Sequence, residues 1–329
     1  MGNVNLFHYA TRELSQDAFL AWLLAWASPD NDGPMHDYGI AFLKYLYNIC
    51  KADLPYIASL AISQQQDYID VQCRINGEEV LLIEDKVGTQ QHSEQLSRYK
   101  DTLVQQGFAK IHPVYIQTGD QCDYSSVLND GYAVVTRKDL LGFFHDHAEL
   151  QAQLKNQILD DYVEYMTEIE ANVQSYLSLP ISEWHGGSWT GFYQALQERL
   201  EDGKWGYVPN PSGGFMGFWW NFLHKGDIDQ YLQLEQDRLC FKIWGNTATD
   251  CRAVMYQYRE HFIREGQKNS IDIISPNRLR AGVYTTVAVL AGDYRICNSD
   301  GIIDMDATVQ KLKQMTAFQD SAMAVMNQQ

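Results

Sequence analysis

The apolar positions of this chain change their spacing several times before residue 140, and each change marks an element. Phe19, Leu20, Leu23, Leu24 and Trp26 form a wide apolar face and predict a helix over 13–26, with Ser15 as its cap. Pro29, Asn31, Gly33 and Pro34 then predict a loop, and a second helix is expected over about 37–49. The period falls to two at Ile69, Val71, Cys73 and Ile75, which alternate with Asp70, Gln72 and Arg74 as in a strand. Asn76-Gly77 is a hairpin signal. Val80 to Ile83 is a continuous apolar run, expected of a strand buried on both faces. A helix follows over 89–106, with Leu96, Tyr99 and Leu103 on one stripe and Gly107 as its stop. Strands are expected over 111–117 and 132–135.

Beyond residue 140 the pattern changes. Residues 141–180 read as helical and solvated, with Asp146, Glu149, Asp160, Asp161, Glu164, Glu168 and Glu170 against Lys155 alone. Trp184, Trp189, Trp205, Trp219 and Trp220 cluster between 184 and 222. Such density reads as a domain core, with base stacking as the alternative. Residues 209–214 read as a loop. A hairpin is expected from Tyr231–Leu234 and Leu239–Trp244 about Gln236-Asp237, then a strand over 283–290 and a closing helix over 309–326. The fold class is mixed α/β, with a boundary near residue 180 separating 1–180 from an aromatic-rich α+β domain over 181–329.

Composition narrows the class. At 329 residues and 45% hydrophobic, the chain has enough material for large cores and is not a disordered or collagen-like sequence. Its 25 Lys and Arg against 42 Asp and Glu give a net charge of −17. Nucleic-acid binding through bulk charge is therefore excluded, and any such contact must be local. The six cysteines include no CxxC pair, and reduced thiols in a cytoplasmic protein are expected. The first residues lack a basic export signal and the myristoylation pattern. The longest apolar run, Ala18 to Ala27, is about half of what crosses a bilayer.

The chemistry concentrates where the hairpin ends. Asp70 lies on its first strand, and Glu84-Asp85-Lys86 closes the second. Side chains alternate along a strand, so Glu84 and Lys86 share a face and Asp85 points away. Charges on a buried strand are costly unless they are paired or bind an ion. Paired carboxylates suit Mg²⁺, and a lysine beside them orients or deprotonates a water, or stabilises charge on a phosphate. Register supplies a condition. A strict two-residue Asn76-Gly77 turn pairs Asp70 with Ile83 and turns Glu84 to the opposite face, so a metal site requires a bulge or an odd-length loop. On the next helix Gln95 and Tyr99 face the same way.

Asp70, Glu84-Asp85-Lys86 and Gln95-Leu-Ser-Arg-Tyr99 together resemble the PD-(D/E)XK nuclease superfamily, with its Asp…Glu-x-Lys core and the QxxxY motif of some branches. The stretch Glu13-Leu-Ser-Gln-Asp-Ala-Phe-Leu-Ala-Trp-Leu-Leu resembles the first helix of an uncharacterised bacterial branch. Ile69 stands where the superfamily often has Pro. The similarity covers about residues 8–140. It implies a restriction-endonuclease-like αβββαβ core and metal-dependent phosphodiester hydrolysis to 5′-phosphate and 3′-hydroxyl ends. Asp70, Glu84 and the Asp85 carbonyl would ligate Mg²⁺ or Mn²⁺. Lys86 would activate water, Glu13 would approach the metal, and Gln95 and Tyr99 would position the nucleic-acid strand. The expected polymer is DNA, in restriction or phage defence, with RNA cleavage or a catalytically silent binding module as alternatives. A homodimer is left open. Lys242, Arg252, Arg278 and Arg280 are candidate phosphate contacts, because 235–281 is the least acidic long stretch. Ser188 with His185, the His145/His147 pair and the Asp300, Asp304 and Asp306 group complete no recognised motif.

Overall fold

In the computed structural model, which describes residues 4–88, 95–210, 213–245, 251–278 and 282–327, the chain divides into units 1–171 and 172–329. The class is mixed α+β. The division falls within the last turn of α7, ahead of residue 180.

The first unit runs α1 (Glu13–Ala25), α2 (Gly33–Ile49), β1 (Leu60–Gln66), β2 (Ile69–Ile75), β3 (Glu79–Lys86), α3 (Gln95–Gln105), β4 (Lys110–Gln117), α4 (Ser125–Asn129), β5 (Ala133–Thr136), α5 (Arg137–Asp146), α6 (Ala148–Leu154) and α7 (Gln157–Gln174). Its sheet has the order β1-β2-β3-β4-β5. The pairs β1–β2 and β2–β3 are antiparallel, whereas β3–β4 and β4–β5 are parallel.

Strand β3 is central and buried along its whole length, which is why its sequence is a continuous apolar run rather than an alternation. Leu81 and Ile83 pack into a core with Phe19, Leu23, Phe42 and Tyr162 of α1, α2 and α7. Val80 and Leu82 face the opposite way, into a second core with Leu96, Tyr99 and Leu103 of α3. The sheet therefore has helices on both faces. β3's side chains divide between them by parity.

Several expectations change. Arg12, not Ser15, occupies the N-cap of α1, and Ser15 lies inside the helix. Glu13 in the first turn complements the helix dipole there. Helix α2 begins at Gly33 rather than near 37, since Pro34 in a first turn forfeits no hydrogen bond. Strand β1 was not predicted, because it is a polar, half-exposed edge strand without alternation. Residues 89–94 of the helix expected over 89–106 lie outside the described residues, and α3 is described from Gln95. The acidic stretch 141–180 is not merely a solvated face. Leu159, Tyr162 and Met166 of α7 are buried, and Asp161 accepts the Leu6 N–H at 3.1 Å.

The second unit holds α8 (Gly186–Gln197), β6 (Lys204–Val208), β7 (Phe215–Lys225), β8 (Ile228–Glu235), β9 (Arg238–Gly245), α9 (Cys251–Lys268), β10 (Ile273–Ile274), β11 (Tyr284–Leu290) and α10 (Met305–Asn327). Its antiparallel sheet has the order β10-β11-β9-β8-β7-β6. Glu235 pairs with Arg238, so the predicted Gln236-Asp237 turn is a two-residue loop. Trp189, Trp205 and Trp220 are buried in this unit. Pro211 and Ser212 of the expected 209–214 loop lie outside the described residues, as does Arg280. No helix among the described residues is long and apolar enough to cross a membrane. Cys50, Cys73, Cys122, Cys240 and Cys297 are free thiols.

Candidate active site

The β2–β3 loop decides the geometry. Asn76 and Gly77 both adopt positive φ, and the Glu78 N–H bonds the Ile75 carbonyl at 3.1 Å, closing a tight turn. The ladder nevertheless pairs Ile75 with Glu79 and Val71 with Ile83. Glu78 is thus the extra residue that makes the connection odd. One step beyond Val71 and Ile83, this register sets Asp70 opposite Glu84 on one face of the sheet. The register condition for a shared carboxylate site is therefore met.

The side chains follow that register. Lys86 Nζ lies 2.6 Å from Glu84 Oε1 and 3.4 Å from Asp70 Oδ2, and it donates to the Asp85 carbonyl at 2.8 Å. Asp70 Oδ2 also accepts the Asp85 N–H at 2.9 Å. Three oxygens thus converge on one ammonium. From α3, Gln95 Nε2 donates to Glu84 Oε1 at 3.0 Å and lies 2.6 Å from the Tyr99 hydroxyl. Glu13, at the start of α1, accepts the Val87 N–H at 3.4 Å, and its charge acts on Lys86.

Asp85 is split between two faces. Its carbonyl joins the Lys86 cluster, but its side chain enters the α1/α7 core. There its carboxylate accepts from Gln16, whose Oε1 accepts from the Thr118 hydroxyl at 2.8 Å. Asp17 neighbours it, and Gln65 Nε2 bridges Asp17 Oδ2 and Asp70 Oδ1, each at 3.0 Å. Gln65 sits in left-handed backbone at φ 52°, a conformation uncommon for a residue with a side chain and found at functional sites. This network of Gln16, Asp17, Gln65 and Thr118 was missed from the sequence. The available signal was a Gln-Asp pair on α1 immediately ahead of its apolar run.

Burial sets the charges. It pushes the Glu84 carboxyl up to about 8, with the Asp70 charge adding to the effect and Lys86 only partly opposing it. Burial and Asp70 likewise raise Asp17 to about 7. Asp85, fully enclosed beside Asp17, is held well above the carboxylate range. Desolvation works against the Lys86 ammonium, but Glu84 and Asp70 outweigh it and raise its pKa. Lys86 therefore stays protonated, as a donor and a positive charge.

Among the described residues no group of three or more His, Cys, Asp or Glu side chains forms a metal cage. The donor set here is smaller and wholly oxygen: Asp70, Glu84 and one main-chain carbonyl. Glu84 Oε2 is buried, and no hydrogen-bond donor among the described residues reaches it. An orphaned carboxylate oxygen beside a second carboxylate fits a hard divalent cation that keeps part of its shell for water and substrate.

The other candidates have structural roles. Ser188 is fully buried, close to Ser175 Oγ at 2.8 Å and to the His185 N–H. Asp304 bonds the Ala307 N–H at the head of α10. Lys242 is nearly buried and paired with Glu235 at 3.0 Å, which removes it from the surface set of phosphate contacts. Arg252 and Arg278 are exposed. The chain matches no family model, no curated protein and no solved structure.

Proposed function

We propose that this chain is a Mg²⁺- or Mn²⁺-dependent nuclease that hydrolyses DNA phosphodiesters to 5′-phosphate and 3′-hydroxyl ends, in restriction or phage defence. The observation that carries this reading is the opposition of Asp70 and Glu84 across the β2–β3 hairpin, with Lys86 between them. The order α1, β1–β3, α3, β4 supports the αβββαβ core that the PD-(D/E)XK resemblance implies.

Asp70, Glu84 and the Asp85 carbonyl would hold the cation, which would supply Lewis-acid polarisation of the scissile phosphate. The cation would displace the proton that burial favours on Glu84, so the site would hold it more tightly as pH rises toward about 8. Lys86, still protonated, orients the attacking water and offsets charge that develops on the phosphate. Gln95 fixes the Glu84 carboxylate, and Tyr99, buried behind it rather than facing the strand, holds Gln95 in place. Glu13 adds a further carboxylate at the edge of the site. The second network holds the β3 backbone at Asp85, so that its carbonyl keeps its direction.

The net charge of −17 favours one competing reading, a silent module that binds nucleic acid or a protein. Supercoiled plasmid, linear duplex, single-stranded DNA and RNA incubated with Mg²⁺ or Mn²⁺ separate the two. Metal-dependent cleavage of DNA that disappears in Lys86→Ala is expected. Cleavage of RNA alone changes the polymer. No cleavage of any polymer favours the silent module.

A further inference from the structure

The sheet of the second unit has two unlike faces. Phe218, Trp220 and Phe241 turn toward α8, α9 and α10, through ring contacts such as Phe241 with Phe262 and Phe318, and Leu232 shares their face by its register opposite Trp220 and Phe241. The opposite face carries a cleft of about 370 Å³. Its lining is assembled by cross-strand register: Trp219 opposite Gln233, Tyr231 opposite Lys242, Tyr284 opposite Trp244. Partners directly opposed in a ladder share a face, so the aromatic wall follows from the strand pairing.

The rings are arranged as platforms. Trp244 and Tyr284 stack with centroids 5.9 Å apart and planes 19° from parallel, and Phe222 and Tyr231 stack at 5.0 Å and 16°. Trp244 is 42% and Tyr284 63% exposed. Large rings left in water beside a cleft mark a binding surface more often than a core.

Polar chemistry narrows the ligand. Gln233 and Lys242 line the cleft and are almost wholly buried. Glu235 Oε1 accepts from both, at 3.2 Å from Gln233 Nε2 and 3.0 Å from Lys242 Nζ. That fixes the Gln233 amide with its carbonyl left to accept, beside an ammonium that has further N–H groups to donate. An acceptor and a donor side by side match the edge of a nucleobase, which presents the complementary pair. A sugar needs more polar partners than this lining offers. Glu235 already neutralises Lys242, so the cleft recognises a flat ring rather than a phosphate.

We propose that this cleft binds an unstacked base of single-stranded nucleic acid between its aromatic platforms. The choice of polymer rests on the nuclease reading of the first unit, but the binding does not require metal or cleavage. A duplex, whose bases are already stacked, does not enter. Because the contact is with the ring, affinity depends only weakly on salt.

The test titrates the full-length protein in EDTA with a short oligothymidylate and with a matched duplex, reading tryptophan fluorescence and probe anisotropy. Wild type is expected to bind the single strand with quenching, and Trp244→Ala/Tyr284→Ala to bind about tenfold or more weakly. Both side chains are exposed, so circular dichroism and the unfolding midpoint are expected to stay unchanged. Equal affinity of variant and wild type overturns the proposal, as does binding of duplex alone or of neither polymer. Binding without cleavage under any metal sinks the nuclease reading and leaves the cleft assigned. Cleavage with unchanged affinity in the double variant does the reverse.

Discussion

The Lys86 ammonium lies 2.6 Å from Glu84 Oε1, two positions away on the same face of a fully buried strand. A pair so placed is costly to desolvate, and it persists because Asp70 and the Asp85 carbonyl take the remaining N–H groups. The same oxygens suit a divalent cation, so Lys86 both neutralises the site and shares its position.

Lys86→Met is therefore expected to destabilise the metal-free protein. Breaking a buried pair costs about 3–5 kcal/mol when the other charge stays ionised. Glu84, pushed up to about 8, takes a proton instead at lower pH, so the cost is smaller at pH 6 than at pH 9. Urea unfolding at the two pH values checks this. A pH-independent cost would show that Glu84 is not the partner.

The buried carboxyls also set a pH slope. An acid whose pKa is higher folded than unfolded binds more protons in the folded state, so stability falls as pH rises between the two values. For Asp17 that window runs from about 4 to about 7. Glu84 extends it to about 8. Metal-free wild type is expected to lose thermal midpoint across pH 5–8, and Asp17→Asn to lose less. Parallel slopes would refute the assignment.

Arg137 is 2% exposed and satisfies Asp120, Glu170 and the Thr118 carbonyl at 2.7–3.0 Å. Arg137→Met removes the buried cation that Asp120, Glu170 and the carbonyl of Thr118, the residue that follows β4, share. A loss of about 3 kcal/mol is expected from chemical denaturation. A change below about 0.5 kcal/mol, the range of ordinary surface substitutions, would contradict it.

Gly119 stands where a Cβ would lie 1.7 Å from the Val87 carbonyl, directly after Lys86. Gly119→Ala must push the end of β3 outward, at about 1–3 kcal/mol for overpacking. Cleavage is expected to fall far more than stability, because Lys86 moves with Val87. Full activity in a folded Gly119→Ala protein would show that the position of β3's end does not matter.

Much of this site was legible in the sequence. Asp70, Glu84, Lys86, Gln95 and Tyr99 are polar residues at fixed offsets from apolar runs, and strand parity alone places Glu84 and Lys86 together. The odd loop was legible only as a condition, since Asn-Gly signals a turn but not the extra Glu78 beyond it. The Gln16–Asp17–Thr118 network was hidden because its members come from separate elements and meet only after packing. Strand β1 was hidden for the opposite reason. It lies at an edge, its side chains are mostly wet, and burial imposes no pattern on them. The tryptophans divide along the same line: Trp189, Trp205 and Trp220 are core, while Trp219 lines an open cleft. Composition does not distinguish the two.

The most direct measurement of the central claim is Mn²⁺ binding, read by electron paramagnetic resonance, in wild type, Asp70→Asn and Glu84→Gln. The account predicts one tight Mn²⁺ per chain, competed by Mg²⁺ and lost in both variants, with the fold intact by circular dichroism. Equal tight binding in all three proteins, or none in wild type, would contradict it.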